Sequence, residues 1–146
     1  MNVILHASDS RWGNAALITT WHVLERNFDT IGYSYVILNG HLAEDRYHPL
    51  FDGSVETGRP LDGDAFIDGN EIGAHVKGHN HSVGICLIGK SRTFTTNQYE
   101  ALRGLLLELK KQYGEIELYQ HSDFDENKPY CAGLRPSVMK ALKCLL

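Results

Sequence analysis

The chain has 146 residues, of which 42% are hydrophobic and 22% charged, and this is the composition of one globular domain spanning residues 1–146. The net charge of −4 and the absence of any block of like charges give no indication of a nucleic-acid-binding surface. No run of 18 apolar residues occurs, so we expect no membrane insertion. The three cysteines form no CxxC pair, which argues against a disulfide framework.

The first predicted elements are a buried strand and an amphipathic helix. Residues 3–5 form a short apolar run that is typical of a buried strand, and His6 follows it directly. Apolar side chains recur on one helical face of residues 14–26, which predicts a helix. Asp9 or Ser10 is the expected cap of that helix.

A second strand is predicted over residues 33–38. It is followed by Asn39-Gly40, a dipeptide that favours a turn. Residues 41–73 are rich in Gly, Pro and Asp, and we expect them to form long surface loops around minor strands.

The central strand and the clearest helix follow. Residues 83–88 are continuously apolar, as in a strand covered on both faces. Thr95 and Gln98 have the spacing of a capping box, and Gly114 stands where a helix commonly ends. These signals predict a helix between Thr95 and Gly114.

The last elements complete an α/β pattern. Residues 115–120 alternate as a strand, His121 comes next, and Pro136 can open a final helix that runs through residue 142. The fold class is therefore α/β: a single domain with a central mixed β-sheet flanked by about three α-helices. Ligands gather at the carboxyl ends of strands in such sheets, and His6 and His121 both lie at predicted carboxyl ends.

A zinc site is one interpretation of these two histidines. Cys131 lies ten residues after His121, so the intervening loop can bring its thiolate to the imidazole and complete a His2Cys set with His6. Asp9 and Asp123 are the expected hydrogen-bond acceptors behind the rings. The alternative is two strand-end histidines without a metal and an ordinary, partly buried cysteine.

Other catalytic schemes fit less well. The sequence has no GxSxG elbow. A Cys–His hydrolase could pair Cys131 with His121 but would leave His6 without a role. Cys86, in an apolar strand, is expected to be inert. Residues 73–81 form a polar loop that is either a surface turn or the rim of a binding site.

Several segments together resemble the zinc-dependent N-acetylmuramoyl-L-alanine amidases, a family that includes short phage lysozyme-amidases and animal peptidoglycan recognition proteins. They occur in the order found in that family and extend over almost the whole chain. The segments are VILHAS at 3–8, WH at 21–22, IGYSYVI at 31–37, GRP at 58–60, GAH at 73–75, GHN at 78–80, SVGICLIG at 82–89, FTTNQ at 94–98 and residues 121–133.

The resemblance implies hydrolysis of the amide between N-acetylmuramic acid and L-alanine in bacterial peptidoglycan, with one zinc ion as cofactor. The residues that match functional positions of the family fall into three groups. They are the metal ligands His6, His121 and Cys131, the catalytic residues Tyr33 and Lys128, and the substrate-binding residues His75 and Asn80. Two residues separate Lys128 from Cys131, where the family usually has one.

The alternatives differ in activity and in setting. A non-catalytic peptidoglycan-binding module typically lacks the cysteine ligand, so Cys131 favours an enzyme. We expect no secretory signal, because the first residues lack a basic start and an apolar stretch. That expectation fits a phage or prophage endolysin, held in the cytoplasm and acting on the cell wall after release, and it also fits a recycling amidase or a wall amidase used as a secreted effector. The resemblance to single-domain phage enzymes ranks the endolysin first, and a monomer is the default expectation.

Overall fold

Five strands form one mixed sheet, and three α-helices cover it. The computed structural model describes residues 1–146, and the strands lie in the spatial order β3-β2-β4-β1-β5. The elements, in chain order, are β1 (Asn2–Ala7), α1 (Ala15–Arg26), β2 (Tyr35–Ala43), β3 (Arg46–Thr57), β4 (Val83–Leu87), α2 (Thr96–Tyr113), β5 (Glu117–Gln120) and α3 (Pro136–Lys143). The expected α/β class with a mixed sheet and three helices is confirmed.

Parallel pairing joins the centre of the sheet. Strand β1 pairs in parallel with β4 on one side and with β5 on the other, and β2 also pairs in parallel with β4. Only β3 is antiparallel, against β2. The carboxyl ends of β1, β2, β4 and β5 therefore meet at one edge of the sheet.

The two faces of the sheet bury different clusters. The larger cluster packs α2 and α3 against one face, with Leu5 and Ile85 from the sheet and Leu106 from α2 among its members. The smaller cluster packs Ile18 of α1 against the opposite face. Side chains alternate along a strand, so His6, the neighbour of Leu5 in β1, lies on the face that α1 covers.

Two expectations for the first half of the chain are wrong. Helix α1 is capped by Asn14, whose side-chain oxygen accepts from the Leu17 N–H at 2.8 Å, and not by Asp9 or Ser10. Asn39-Gly40 lies inside β2 and forms no turn. The ladder is irregular at this point and Gly40 has a φ of +87°, so the dipeptide accommodates a β-bulge.

Part of the predicted loop region is also a strand. Residues 46–57 form β3, a 12-residue edge strand paired with β2, where long loops with minor strands were expected. Most β3 side chains are exposed, which explains why the segment has a loop-like composition. None of the three α-helices has the length and hydropathy that crossing a membrane requires.

Candidate metal centre

Three side chains converge at the carboxyl edge of the sheet. His6 lies in β1, His121 directly follows the neighbouring β5, and a loop returns Cys131 to them. One donor atom from each lies within 4.8 Å of the other two, and His6 Nδ1 is 4.0 Å from Cys131 Sγ. A tetrahedral zinc ion with ordinary bond lengths places such N and S atoms roughly 3.5 Å apart, so the donor types suit zinc and small side-chain shifts would bring them to bonding distance.

Backbone hydrogen bonds hold the Cys131 loop in place. The Ser122 N–H donates to the Cys131 carbonyl at 2.6 Å, and the Cys131 N–H donates to the Lys128 carbonyl at 3.2 Å. The Ala7 N–H points at Cys131 Sγ from 3.4 Å. Burial raises the pKa of the Cys131 thiol, and the Ala7 N–H opposes that rise. A cation between the ligands would favour the thiolate further.

Both histidines of the set favour the neutral form that binds metals. Burial is the main cause that lowers the pKa of His6 well below its ordinary value, and neighbouring histidines lower it further. Burial also lowers the pKa of His121. At neutral pH, each ring therefore has a nitrogen lone pair to offer to an ion.

The carboxylates expected behind the two rings lie elsewhere. Asp9 pairs with Lys90 Nζ at 3.3 Å on the surface. Asp123 accepts the backbone N–H of Gln120 at 2.9 Å and so stabilises the turn. The prediction of both residues as acceptors for the histidine ligands is therefore wrong.

Two other side chains contact the rings of His6 and His121. His6 Nε2 lies 2.9 Å from His75 Nδ1, and His121 Nε2 lies 3.5 Å from Asp125 Oδ2. The tertiary fold brings His75 to His6 from a loop 69 residues away. Asp125 is four residues after His121, within one turn of chain.

Tyr33 lies beside the ligands. Its ring centroid is 4.9 Å from that of His6. Burial raises the pKa of the Tyr33 hydroxyl well above its ordinary value, and the thiols of Cys86 and Cys131 raise it further. The hydroxyl is therefore protonated at neutral pH and available as a hydrogen-bond donor.

Two of the three candidate ligands, His121 and Cys131, line a cavity of about 470 Å³, and His6 is buried behind them. Tyr33, His75 and Lys128 line it together with His121 and Cys131. The side chain of Lys128 is exposed to solvent at this wall. The hydrogen bond from the Cys131 N–H to the Lys128 carbonyl closes a turn, which accommodates the additional residue between the two.

Asn80 does not line this cavity. Its side-chain oxygen accepts the backbone N–H groups of His75 and Val76, each at 2.9 Å. In this structure Asn80 therefore shapes the loop that carries His75.

Two cavity residues were missed from the sequence. His22 and Arg26 line the cavity from α1, and His22 is also a buried packing residue. The two are four residues apart and so share one helical face, which is a signal that could have identified Arg26 with His22.

Comparison with known proteins decides the family. The family described as N-acetylmuramoyl-L-alanine amidase matches residues 2–133. The chain belongs to this family. The resemblance inferred from the ordered segments is therefore confirmed.

Curated relatives of this amidase-family chain include phage endolysins. The endolysin of Klebsiella phage KP32 is 37% identical over 114 residues, which are 73% of this chain and 62% of that protein. The endolysin of Escherichia phage T7 is 32% identical over 114 residues, which are again 73% of this chain and 62% of that protein. The chain thus spans about 62% of the length of the relatives it matches.

Solved structures share the fold. Drosophila PGRP-LB is 28% identical, with a TM-score of 0.67 over 90% of this chain and 74% of its own. The N-acetylmuramoyl-L-alanine amidase LysC from Clostridium intestinale has a TM-score of 0.74 at 22% identity, over 98% of this chain and 82% of its own, and this likeness supports the fold alone.

Proposed function

We propose that the chain is a zinc-dependent N-acetylmuramoyl-L-alanine amidase that cleaves the amide between N-acetylmuramic acid and L-alanine in bacterial peptidoglycan. The observation that carries the proposal is the convergence of His6, His121 and Cys131 in an amidase-family domain, beside a cavity that His121 and Cys131 line. Three protein ligands are typical of catalytic zinc sites, which keep a fourth position for water or substrate.

His6, His121 and Cys131 would hold a single ion. When bound, zinc supplies Lewis acidity and activation of water at neutral pH. The side chains around it then determine which bond is cleaved. The cavity walls bring the scissile carbonyl to this position and partly exclude bulk water, which strengthens electrostatic interactions there.

Tyr33 and Lys128 are the proposed catalytic residues. The protonated hydroxyl of Tyr33, whose ring lies beside His6, would orient the attacking water by hydrogen bonding and assist proton transfer to the leaving amine. The ammonium of Lys128, on the cavity wall, would stabilise the tetrahedral oxyanion that forms from the carbonyl. The role of Tyr33 needs the neutral phenol, which its raised pKa maintains at neutral pH.

The relatives support the proposed substrate and setting. Several relatives are named endolysins, and a mutant of Drosophila PGRP-LB, 28% identical to this chain, has been solved in complex with tracheal cytotoxin. We propose peptidoglycan as the partner of the cavity and an endolysin acting on the cell wall after release as the setting. A monomer suffices, because all three ligands come from one chain.

The decisive experiment is digestion of purified sacculi with zinc-loaded protein, followed by mass spectrometry. We expect new free amines on the L-alanine of stem peptides, intact glycan strands, and loss of activity on chelation that zinc restores. Activity that survives chelation would favour a Cys–His peptidase. Protein that binds sacculi and leaves them uncut would favour a recognition module.

Variants test the two catalytic roles. Tyr33→Phe and Lys128→Ala should each slow cleavage by about 10²–10³-fold, the usual effect of removing one such donor. Zinc content should stay that of the wild type, because neither residue is a ligand. Lys77→Ala, an exposed lysine outside the cavity lining, is the matched control and should cleave normally. Wild-type rates in either test variant would contradict the assigned role.

A further inference from the structure

We propose that His75 is a positioning residue for the metal ligand His6: it accepts the His6 Nε2 proton and thereby directs the Nδ1 lone pair at the ion. The inference rests on the zinc site of the proposed function. His6 Nε2 and His75 Nδ1 are 2.9 Å apart, and the ring planes are nearly perpendicular, at 79°. His6 Nδ1 points the other way, toward Cys131 Sγ.

The hydrogen bonds around His75 determine which nitrogen carries its proton. His75 Nε2 lies 3.3 Å from both the carbonyl and the hydroxyl oxygen of Ser82. The carbonyl can only accept, and the Ser82 hydroxyl donates to the His79 carbonyl, so it also accepts from His75. His75 Nε2 therefore carries the proton, and Nδ1 is left as an acceptor.

The position of the proton on His75 also determines the position of the proton on His6. Because His75 Nδ1 accepts, the proton of His6 resides on Nε2, and His6 Nδ1 keeps its lone pair for the metal. A chain of two hydrogen bonds thus runs from the backbone of Ser82 to a metal ligand. Such outer partners fix the tautomer and orientation of a ligating histidine.

Two glycines make the space that His75 needs. A Cβ atom on Gly84 of β4 would lie 3.0 Å from Cγ and Nδ1 of the His75 ring, and one on Gly73 would lie 2.5 Å from its Cδ2. Neither glycine has a positive φ, so space and not backbone conformation explains them. The His75 ring therefore occupies a space that the missing side chains of the two glycines leave open, and the surrounding fold fixes its position.

The test is the zinc affinity of the whole chain, measured by competition with a chelator. His75→Ala should weaken binding by about 10–100-fold, the usual effect of losing an outer partner. His75→Asn keeps an acceptor near the position of Nδ1 and should recover part of the loss. Gly84→Ala should also weaken binding, because the added methyl displaces the ring. His81→Ala, an exposed histidine of the same loop, is the matched control.

Two further measurements make the outcomes distinct. The absorption bands of the cobalt-substituted protein should shift in His75→Ala and stay unchanged in His81→Ala, and circular dichroism of the metal-free variants checks that each folds. Wild-type zinc affinity in folded His75→Ala, with only the KM for peptidoglycan raised, would make His75 a substrate contact and overturn the inference alone. A wild-type chain that binds no zinc would overturn the zinc dependence of the proposed function and this inference with it.

Discussion

Burial of the His22 side chain changes its pKa. It is 6% exposed, and its Nδ1 accepts the Gly32 N–H at 2.9 Å. Burial lowers its pKa to about 4, and the cations of Arg26 and Arg59 contribute to the same shift. The folded chain therefore holds His22 neutral in a pH range where the unfolded chain would protonate it.

The pH dependence of stability follows from that difference. The pKa of His22 is about 4 in the folded chain and about 6.5 in the unfolded chain, so between these values the unfolded chain binds more protons. The stabilisation is full above pH 6.5 and is lost as the pH falls toward 4. In metal-free protein, His22→Gln should reduce the loss of unfolding free energy between pH 7.5 and 4.5 by about 2 kcal/mol, measured by urea denaturation.

The wild type and His22→Gln differ only at this residue, so the difference between their pH dependences reports on His22. The other buried histidines have lowered pKa values in both proteins. An equal fall in unfolding free energy for wild type and His22→Gln would show that His22 is not protonated on unfolding.

For single residues, the sequence predicted the clustering of the three candidate ligands better than their surroundings. His6 lies near the carboxyl end of β1 and His121 directly follows β5, so the edge rule for parallel sheets brings them together, and a short loop returns Cys131 to them. The partner of His6 could not be found in this way. His75 comes from a distant loop, and the nearer carboxylate of Asp9 binds a surface lysine instead.

At the scale of elements, Gln98 connects α2 to the sheet. It is fully buried, and its Nε2 donates to the carbonyls of Ile37 and Ile88 at 3.0 and 2.8 Å. Its Oε1 accepts the Thr95 N–H at 2.9 Å, which completes the capping box. One side chain thus satisfies three buried or partly buried backbone groups where two strands and a helix meet.

Removing that side chain should be costly. Gln98→Ala removes the amide donor from the buried Ile88 carbonyl and one of two donors from the Ile37 carbonyl, which keeps the Ile88 N–H at 3.0 Å. It also loses half of the capping box, and it should lower the unfolding free energy by about 2–4 kcal/mol. Urea denaturation at neutral pH measures this. Arg103→Ala, an exposed position of the same helix, should change stability by less than about 0.5 kcal/mol. A Gln98 variant as stable as the Arg103 variant would mean that water replaces the amide.

The elements differ in how far sequence alone predicted them. Helix α2 combines a capping box, an apolar stripe and a final glycine, and its predicted limits agree with the structure. Strand β3 has few buried positions because it lies at the sheet edge, so its pattern does not alternate. The bulge at Gly40 also places a turn-like dipeptide inside a strand. The residue pattern of β3 does not predict a strand, because backbone pairing with β2 and not side-chain burial stabilises it.

At the scale of the whole molecule, the candidate metal centre joins parts that are far apart in sequence. His6 is in the first strand, while His121 and Cys131 follow the last one. An ion held by all three would cross-link the two ends of the domain. It would bind the folded chain and not the unfolded one, so its binding free energy would add to stability.

Zinc should therefore raise the melting temperature of the chain. At a free zinc concentration 100 times the Kd, the added stability is about 2.7 kcal/mol, which for a chain of this size corresponds to roughly 8 °C. Cys131→Ser should lose most of this increment, because a hydroxyl is a much weaker zinc ligand than a thiolate. Cys144→Ser removes an exposed thiol near the C-terminus and should keep it. Scanning calorimetry with and without zinc distinguishes the two variants. An equal zinc-dependent rise in melting temperature in the two variants would place the ion away from Cys131. A cross-link between β1 and the chain after β5 requires that the rise is lost in Cys131→Ser and kept in Cys144→Ser.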